Sequence, residues 1–325
     1  MLAGFGKMSH GYAADHSMAK YYPYATHAQV LRDHSGFEWL AVVDPDPQAR
    51  EDAKSHWNVA TAVAQIKHLK IQSEVEVLIL ATPPDSRLEL LSQFPNLKAV
   101  LVEKPIGTTL EQGQEFVKYC EKHKIMCLVN FWRRADKSFN SLLGSGLENQ
   151  IGKIQLAHAV YGNGLLNNGV HVVDFLRMML GEVKGSRVET HQPAAPGSPI
   201  PGDMSPMFSL DFESGLTVPV QPLQFSYYRE IGFEFWGQNG VLTIRNEGLT
   251  IQVHQRESNR AMANENEVAF DRFETIPTTV GNALYDMYEN LHATLMGKAR
   301  LCSTGESALV TAEWVERIQC ESGYV

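Results

Sequence analysis

Residues 99–109 read Ala99-Val100-Leu101-Val102-Glu103-Lys104-Pro105-Ile106-Gly107-Thr108-Thr109. Four apolar residues run directly into a glutamate, a lysine and a proline. A short continuous apolar run, without alternation, is the mark of a strand buried on both faces of a parallel sheet. Thr109 followed three residues later by Gln112 has the spacing of a capping box, so a helix should start there. Burying an ammonium is costly unless something nearby uses its charge or proton, and open parallel sheets place ligands at strand carboxyl ends. Glu103 and Lys104 therefore mark a site.

The same pattern extends in both directions. Apolar runs at 1–3, 39–43, 75–81 and 126–129 end in Gly4, Asp44, Thr82-Pro83-Pro84 and Asn130. Short strands alternating with helical patterns over residues 1–130 give an α/β, dinucleotide-binding domain of Rossmann type, with its strand ends outlining a cleft. Residues 131–325 form a second, α+β domain. Its alternating strands at 207–212, 216–220, 233–236 and 241–244, with turns at Glu213-Ser214-Gly215 and Gln238-Asn239-Gly240, predict a largely antiparallel sheet. Helices are expected at 285–296 and 306–319, the latter opened by Ser303 and Glu306 at capping-box spacing. The Pro- and Gly-rich stretch 192–203 and the polar stretch 255–267 read as loops without obvious chemistry.

With 325 residues, 44% of them hydrophobic and 20% charged, the chain is long enough for two cores and too apolar for disorder. A formal charge of −9 argues against nucleic acid or an anionic membrane as partner. No apolar run approaches the length of a membrane span and the start carries no secretion pattern, so a cytoplasmic location is expected. Cys120, Cys127, Cys302 and Cys320 have neither metal nor disulfide-framework spacing and are expected to be reduced and structural.

Gly4-Phe5-Gly6, continuing into Lys7 and Met8, follows the first strand as a dinucleotide loop should, with glycines that tighten the turn and let backbone approach a pyrophosphate. The third glycine position is Ser9 or is displaced by an insertion. Residues 8–25, rich in tyrosine, are too long for an ordinary strand-to-helix turn before a helix beginning near Thr26-His27-Ala28, and read as a lid or wall of the site. Asp44 can accept both hydroxyls of an adenosine ribose and would repel a 2′-phosphate, which predicts NAD over NADP; Asp46 adds to the repulsion. The plainer alternative is a solvated turn with a helix cap. His10, His16 and His27 match no metal-ligand set and are expected at the surface or in caps; no metal site is predicted.

A second polar cluster, Asn167-Asn168-Gly169-Val170-His171-Val172-Val173-Asp174, opens a helix. At about 100° per residue Asn167, His171 and Asp174 share one face, opposite Val172, Val173, Leu176, Met179 and Leu180. An ordinary amphipathic helix with its wet face outward would show the same spacing. A histidine that takes a proton near neutral pH, a lysine that stabilises a developing alkoxide and a carboxylate three residues from the imidazole are the parts that alcohol oxidation needs.

With these motifs the chain resembles the Gfo/Idh/MocA oxidoreductases, the family of glucose-fructose oxidoreductase and inositol dehydrogenase, nearly end to end. The resemblance rests on Gly4-Phe5-Gly6, Val43-Asp44, Ala81-Thr82-Pro83-Pro84, Val102-Glu103-Lys104-Pro105, Gly169-Val170-His171-Val172-Val173-Asp174, Glu234-Phe235-Trp236-Gly237-Gln238-Asn239-Gly240 and Ser303-Thr304-Gly305-Glu306-Ser307-Ala308. It implies a second domain with an open mixed sheet whose exposed face makes homodimers or homotetramers. It also implies a nicotinamide between Lys104 and His171, often with a cis bond between Lys104 and Pro105. Thr82, Pro83 and Pro84 would line the adenosine side, Glu103 and Lys104 would approach the nicotinamide ribose, and Asn130, Arg133 and Arg134 would face the cleft. The family's commonest pattern has an aspartate four residues before the histidine; here that place holds Asn167, which leaves the base role to His171, or alternatively to Lys104. The expectation is an NAD-dependent oxidoreductase moving a hydride between nicotinamide and a sugar, polyol or related hydroxy compound. The alternatives are a non-catalytic NAD-sensing regulator of the same fold, or a reductase of a C=N or C=C bond.

Overall fold

The computed structural model describes residues 1–190 and 197–323. The chain forms two compact units, and neither is continuous in sequence: Met1–Asp136 is completed by Gly281–Ala312, and Lys137–Val280 by Glu313–Val325. The first unit thus runs past the division expected at residue 130 and recovers a later segment.

The first unit is built on a six-stranded parallel sheet: β1 (Leu2–Ala3), β2 (Ala41–Val43), β3 (Thr61–Val63), β4 (Val77–Leu80), β5 (Ala99–Val102) and β6 (Met126–Val129), in the order β3-β2-β1-β4-β5-β6. All four residues of β5 are buried, as a strand covered on both faces must be. Its register sets Leu101 between Ile79 of β4 and Leu128 of β6, in a core that also takes Leu2 and Val42. β3 was not expected from the sequence. It is a three-residue edge strand whose side chains are all half-buried, and so carries no apolar run.

Helices Ala283–Leu295 and Gly305–Glu321 occur near the expected places. The second is capped differently: Thr304 Oγ1 accepts the Ser307 N–H, while Ser303 is fully buried and its hydroxyl hydrogen-bonds nothing. At helix Leu110–Lys122 Thr109 accepts from the Gln112 N–H as predicted, but the Gln112 side chain turns to the Thr108 N–H and to Asp85.

The second unit holds β7 (Ile154–Gly162), β8 (Val183–Thr190), β9 (Met207–Phe212), β10 (Thr217–Leu223), β11 (Gly232–Gly237), β12 (Gly240–Arg245), β13 (Thr250–Ser258), β14 (Asn266–Val268) and β15 (Glu274–Ile276). Among the described residues the order is β14-β13-β12-β11-β7-β10-β9-β8, with β15 on β13. Only β7 and β10 pair in parallel, so the sheet is mixed and mostly antiparallel. The polar stretch 255–267 is in part sheet: β13 runs through Ser258 and pairs with β14, leaving a short connection between them. Of the Pro- and Gly-rich stretch, residues 192–196 lie outside the described residues.

One face of this sheet is covered by helix Val170–Leu180, whose Phe175 packs against Phe233 of β11 with ring centroids 4.4 Å apart and against Phe139 at 4.8 Å. The other face is open: Leu156 is 48% exposed, and a groove over it is lined by His158, Pro219, Trp236, Arg256 and Val268. No helix among the described residues is long and apolar enough to cross a membrane.

A tight joint of the first unit is the turn out of β1. Gly4 has φ +85°, and a Cβ there would lie 2.7 Å from the Ala81 carbonyl group at the end of β4. Gly4→Ala therefore meets both a strained backbone and a close strand, at about 1–3 kcal/mol for the backbone alone. The expected outcome is a lower denaturant midpoint with an unchanged slope; a midpoint equal to wild type would show that the turn is looser than its geometry.

Candidate functional site

The strand carboxyl ends of the first unit gather Gly4, Asp44, Thr82, Glu103 and Asn130, as expected. Gly6 differs from Gly4: a Cβ on it would meet no atom within 4 Å, so no protein contact requires its lack of a side chain. The open space beside this backbone is what a pyrophosphate needs. Ser9, at the third glycine position, is fully buried and donates its hydroxyl to the Gly4 carbonyl at 2.6 Å. The insertion then leaves and returns at one point, since the His27 N–H donates to the Met8 carbonyl (3.2 Å) and the Ala28 N–H to that of Ser9 (2.8 Å). Helix His27–Asp33 starts there with a complete Thr26/Gln29 capping box. Lys7 is exposed and Met8 half-buried.

Asp44 is more than a ribose acceptor in waiting. Its Oδ2 accepts the Phe5 N–H at 2.5 Å and its Oδ1 the Asp46 N–H at 2.8 Å, so it ties the loop after β1 to the loop after β2. Each oxygen keeps a second lone pair, which leaves capacity for ribose hydroxyls. The helix cap is Asp46, whose carboxylate accepts the Gln48 N–H ahead of helix Pro47–Ser55. His10 stacks on Phe5 at 4.3 Å, half-buried, and burial holds its pKa below the ordinary value despite Asp52 and Asp44 nearby.

The expectation for His27 fails, for a reason in the packing. It is completely buried, its Nε2 is 2.9 Å from Glu103 Oε1 and its Nδ1 is 2.8 Å from the Tyr288 hydroxyl. Asn130 Nδ2 donates to the same Glu103 oxygen at 2.6 Å. A carboxylate accepts, so Nε2 carries a proton toward Glu103, and Nδ1 pairs with the Tyr288 hydroxyl on the other side of the ring. Burial alone would push the Glu103 carboxyl up, but the His27 hydrogen bond and charge, the Asn130 amide and the Lys104 charge together hold it below its ordinary value. Tyr288 is held well above its ordinary value, first by burial and then by Glu103, and stays protonated. His16 is exposed, in the short helix His16–Ala19.

Another residue the sequence reading passed over is Arg87. Only 2% exposed, it donates to the Thr82 carbonyl through Nε (3.0 Å) and Nη2 (2.8 Å) and to the Pro105 carbonyl through Nη1 (2.5 Å). Burial lowers its pKa to about 10, partly opposed by Glu103. The guanidinium thereby clamps the turn after β4 to the one after β5, where the Lys104–Pro105 bond is cis. Pro83 and Pro84 form the outer part of the first turn, exposed and half-buried respectively. Thr82 Oγ1 and Asn130 Oδ1 are buried at these strand ends without a protein hydrogen bond, polar atoms that a ligand could satisfy. Lys104 is half-buried, Arg133 is buried with its guanidinium 4.1 Å from the Trp132 ring, and Arg134 is half-buried.

In the second unit the polar cluster is not one regular helix. Leu165–Gly169 is a π turn, with the Gly169 N–H reaching back five residues to the Gly164 carbonyl, and the α-helix begins only at Val170. The 100° arithmetic from Asn167 to His171 therefore does not apply, because a π turn holds more residues per turn than an α turn. Asn167 and His171 are half-buried, whereas Asp174 is 2% exposed and is not displayed on a wet face. The Asn167 side chain donates to the Asn163 carbonyl at 3.1 Å, and that of Asn168 to Gly162 at 2.8 Å. All four cysteines are free thiols, and no cluster of His, Cys, Asp or Glu among the described residues could hold a metal.

The Gfo/Idh/MocA family model, an oxidoreductase family with an NAD-binding Rossmann fold, matches residues 21–131, a span that contains Asp44, the Thr82 turn and Glu103-Lys104-Pro105. Over that span the chain matches the Gfo/Idh/MocA family. The glycine loop and most of the insertion lie ahead of the matched span. Curated relatives include trans-1,2-dihydrobenzene-1,2-diol dehydrogenase of Mus musculus, 25% identical over 46% of this chain and 50% of the relative. Inositol 2-dehydrogenase of Rhodococcus jostii is 32% identical over 46% of this chain and 44% of its own. The match thus spans about half the length of these relatives. Among solved structures, an oxidoreductase from Agrobacterium radiobacter in complex with NAD+, L-tartaric acid and magnesium aligns over 99% of this chain and 95% of that one, with TM-score 0.72 and 16% identity, and so shares the fold.

The Glu103 network sets a pH dependence. Its folded carboxyl lies below the ordinary 4.5, so the unfolded chain takes up the proton first. The stabilisation is complete above that value and is lost as pH falls through the lower folded one. Glu103→Gln is expected to lower Tm at pH 7, with the gap to wild type narrowing toward pH 4. A gap that stays constant from pH 7 to pH 4 would mean that the buried carboxylate contributes nothing through its charge.

Proposed function

We propose that the chain is an NAD-dependent oxidoreductase acting on a CH–OH group of a sugar, polyol or related hydroxy compound. The observation that carries this reading is the row of strand ends in the Rossmann unit: the tight Gly4 turn, the open space at Gly6, the Asp44 carboxylate with acceptor capacity left, and two buried polar atoms without protein partners. These residues fit a dinucleotide. Gly4, Phe5, Gly6, Lys7 and Met8 would offer backbone to the pyrophosphate, Asp44 would hold the adenosine ribose, and Thr82, Pro83 and Pro84 would flank it. Glu103 carries both of its protein hydrogen bonds on Oε1, so Oε2 can accept a hydroxyl of the second ribose, beside Lys104 and Asn130.

When bound, NAD supplies a hydride acceptor. The chain's own part is to take the hydroxyl proton, a role assigned to the His171 imidazole, and to stabilise the oxygen as charge builds, assigned to the Lys104 ammonium. Asp174 supports the imidazole helix from within the core, and the Asn167 amide offers hydrogen bonds to a substrate hydroxyl. The names of the relatives, an inositol and a dihydrodiol dehydrogenase, support a vicinal hydroxyl substrate. A cytoplasmic location and a homodimer or homotetramer formed through the open sheet face belong to the same reading; the exposed Leu156 and the groove beside it support that assembly.

A second reading is favoured by one observation: the Asn167 amide, which stands where the common pattern has an aspartate, gives one N–H to the Asn163 carbonyl and has no carboxylate to take a proton. A regulator that binds NAD without turning substrate over, or a reductase of a C=N or C=C bond, would tolerate that.

Titration calorimetry with NAD and NADP, followed by turnover on a panel of cyclitols, aldoses and cyclic diols, separates these readings. NAD is expected to bind more tightly, and Lys104→Ala and His171→Ala to lose about 100-fold or more in kcat. Variants as fast as wild type would remove the assigned roles, and NAD binding without turnover of any compound would favour the regulator. Asp44→Ser is expected to cut the preference for NAD over NADP by about tenfold, read as the ratio of the two Kd values. An unchanged ratio would place the discrimination elsewhere.

A further inference from the structure

The loop dismissed in the sequence for want of chemistry holds the turn that carries Asn167 and leads into His171. The first N–H groups of a helix have no partner within the helix and must find one elsewhere. Here four consecutive groups end on residues 203–205. The Gly164 N–H donates to Ser205 Oγ (3.0 Å), the Leu165 N–H to the Met204 carbonyl (2.5 Å), the Leu166 N–H to Asp203 Oδ1 (2.9 Å) and the Asn167 N–H to Asp203 Oδ2 (3.1 Å). Asp203 is 3% exposed, and its remaining acceptor positions take the Met204 N–H (2.9 Å) and the Ser198 hydroxyl (2.9 Å). Below the turn, the Tyr161 hydroxyl donates to the Pro206 carbonyl at 2.6 Å. Gly164 adopts φ +95°, and a Cβ there would run into the Asp203 carboxylate, so the two residues fit only as a pair.

We infer that Asp203 is a positioning residue for the proposed reaction: through its carboxylate it fixes the π turn, and thereby the direction in which Asn167 and His171 are presented. This rests on the reading that His171 handles the substrate proton. A carboxylate is the side chain that meets the requirement, because all four of its neighbours are donors. An amide would turn an NH2 group toward two of them and push the turn away. Reactive groups held in near-attack geometry lose rate steeply when displaced, and a shift of about 1 Å can cost about 100-fold.

The test is Asp203→Asn in the full chain, with three readouts: kcat and KM on whichever of the cyclitols, aldoses and cyclic diols wild type oxidises, NAD affinity by calorimetry, and the His171 imidazole 15N resonances, assigned by comparison with His171→Gln. The expected result is a fall of about tenfold or more in kcat, NAD affinity within about twofold of wild type, and displaced His171 resonances. A lower Tm with kcat and the resonances unchanged would overturn the inference and leave Asp203 as scaffold only. If wild type oxidises none of the panel, the functional reading fails while the resonances still decide the positioning role. If Asp203→Asn does not fold, Ser198→Ala removes one donor from Oδ2 and is expected to move the same resonances by a smaller amount; unmoved resonances there would also overturn the inference.

Discussion

A carboxylate buried at the end of β5 constrains everything around it. Glu103 sits where a strand covered on both faces runs out, and a charge left unpaired in such a place costs about 3–5 kcal/mol. Its partners come from far apart in the chain: His27 from the start of helix His27–Asp33, Asn130 from the end of β6, and Tyr288, behind His27, from a helix that the chain supplies after the whole of Lys137–Val280. Satisfying one charge thus fixes the positions of three elements. The neighbouring Arg87 clamp does the same for the Thr82 and Pro105 turns, using carbonyl groups rather than a counter-charge.

The second unit solves a related problem with opposite signs. A helix start concentrates unpaired N–H groups, and a buried aspartate with its two following residues absorbs them. In both units an acidic side chain, itself committed to fixed donors, stands close to the backbone that carries the residue to which chemistry is assigned: Glu103 next to Lys104, and Asp203 against the turn that leads to His171. Sites held this way trade adaptability for precision.

Much of this was legible before any coordinates. The apolar runs of β4, β5 and β6 announce a parallel sheet because such strands leave no room for alternation, and the polar residues that end them mark the site. β3 was not legible, being three residues long and half-buried throughout. His27 could not be assigned because its partners stand 76 and 261 residues away and no local pattern encodes such a meeting. The helical spacing of Asn167, His171 and Asp174 misled because it assumes 3.6 residues per turn through a segment that opens with a π turn. Asp203 was hidden by its company, since prolines and glycines signal a loop and say nothing of what the loop holds. Ser303 and Thr304 both offer hydroxyls at a helix start, and only packing decided which one faces it.

The discontinuity of the first unit bears on how the molecule is made. Synthesis delivers residues 1–136 well before residues 281–312 leave the ribosome. During that interval His27 has no Tyr288 to meet, and the core that Met287, Tyr288 and Leu291 will close stands open to water. The nascent Rossmann unit is therefore incomplete until residues 281–312 have emerged, and a chaperone that shelters apolar surface would have its greatest effect on this chain in that window.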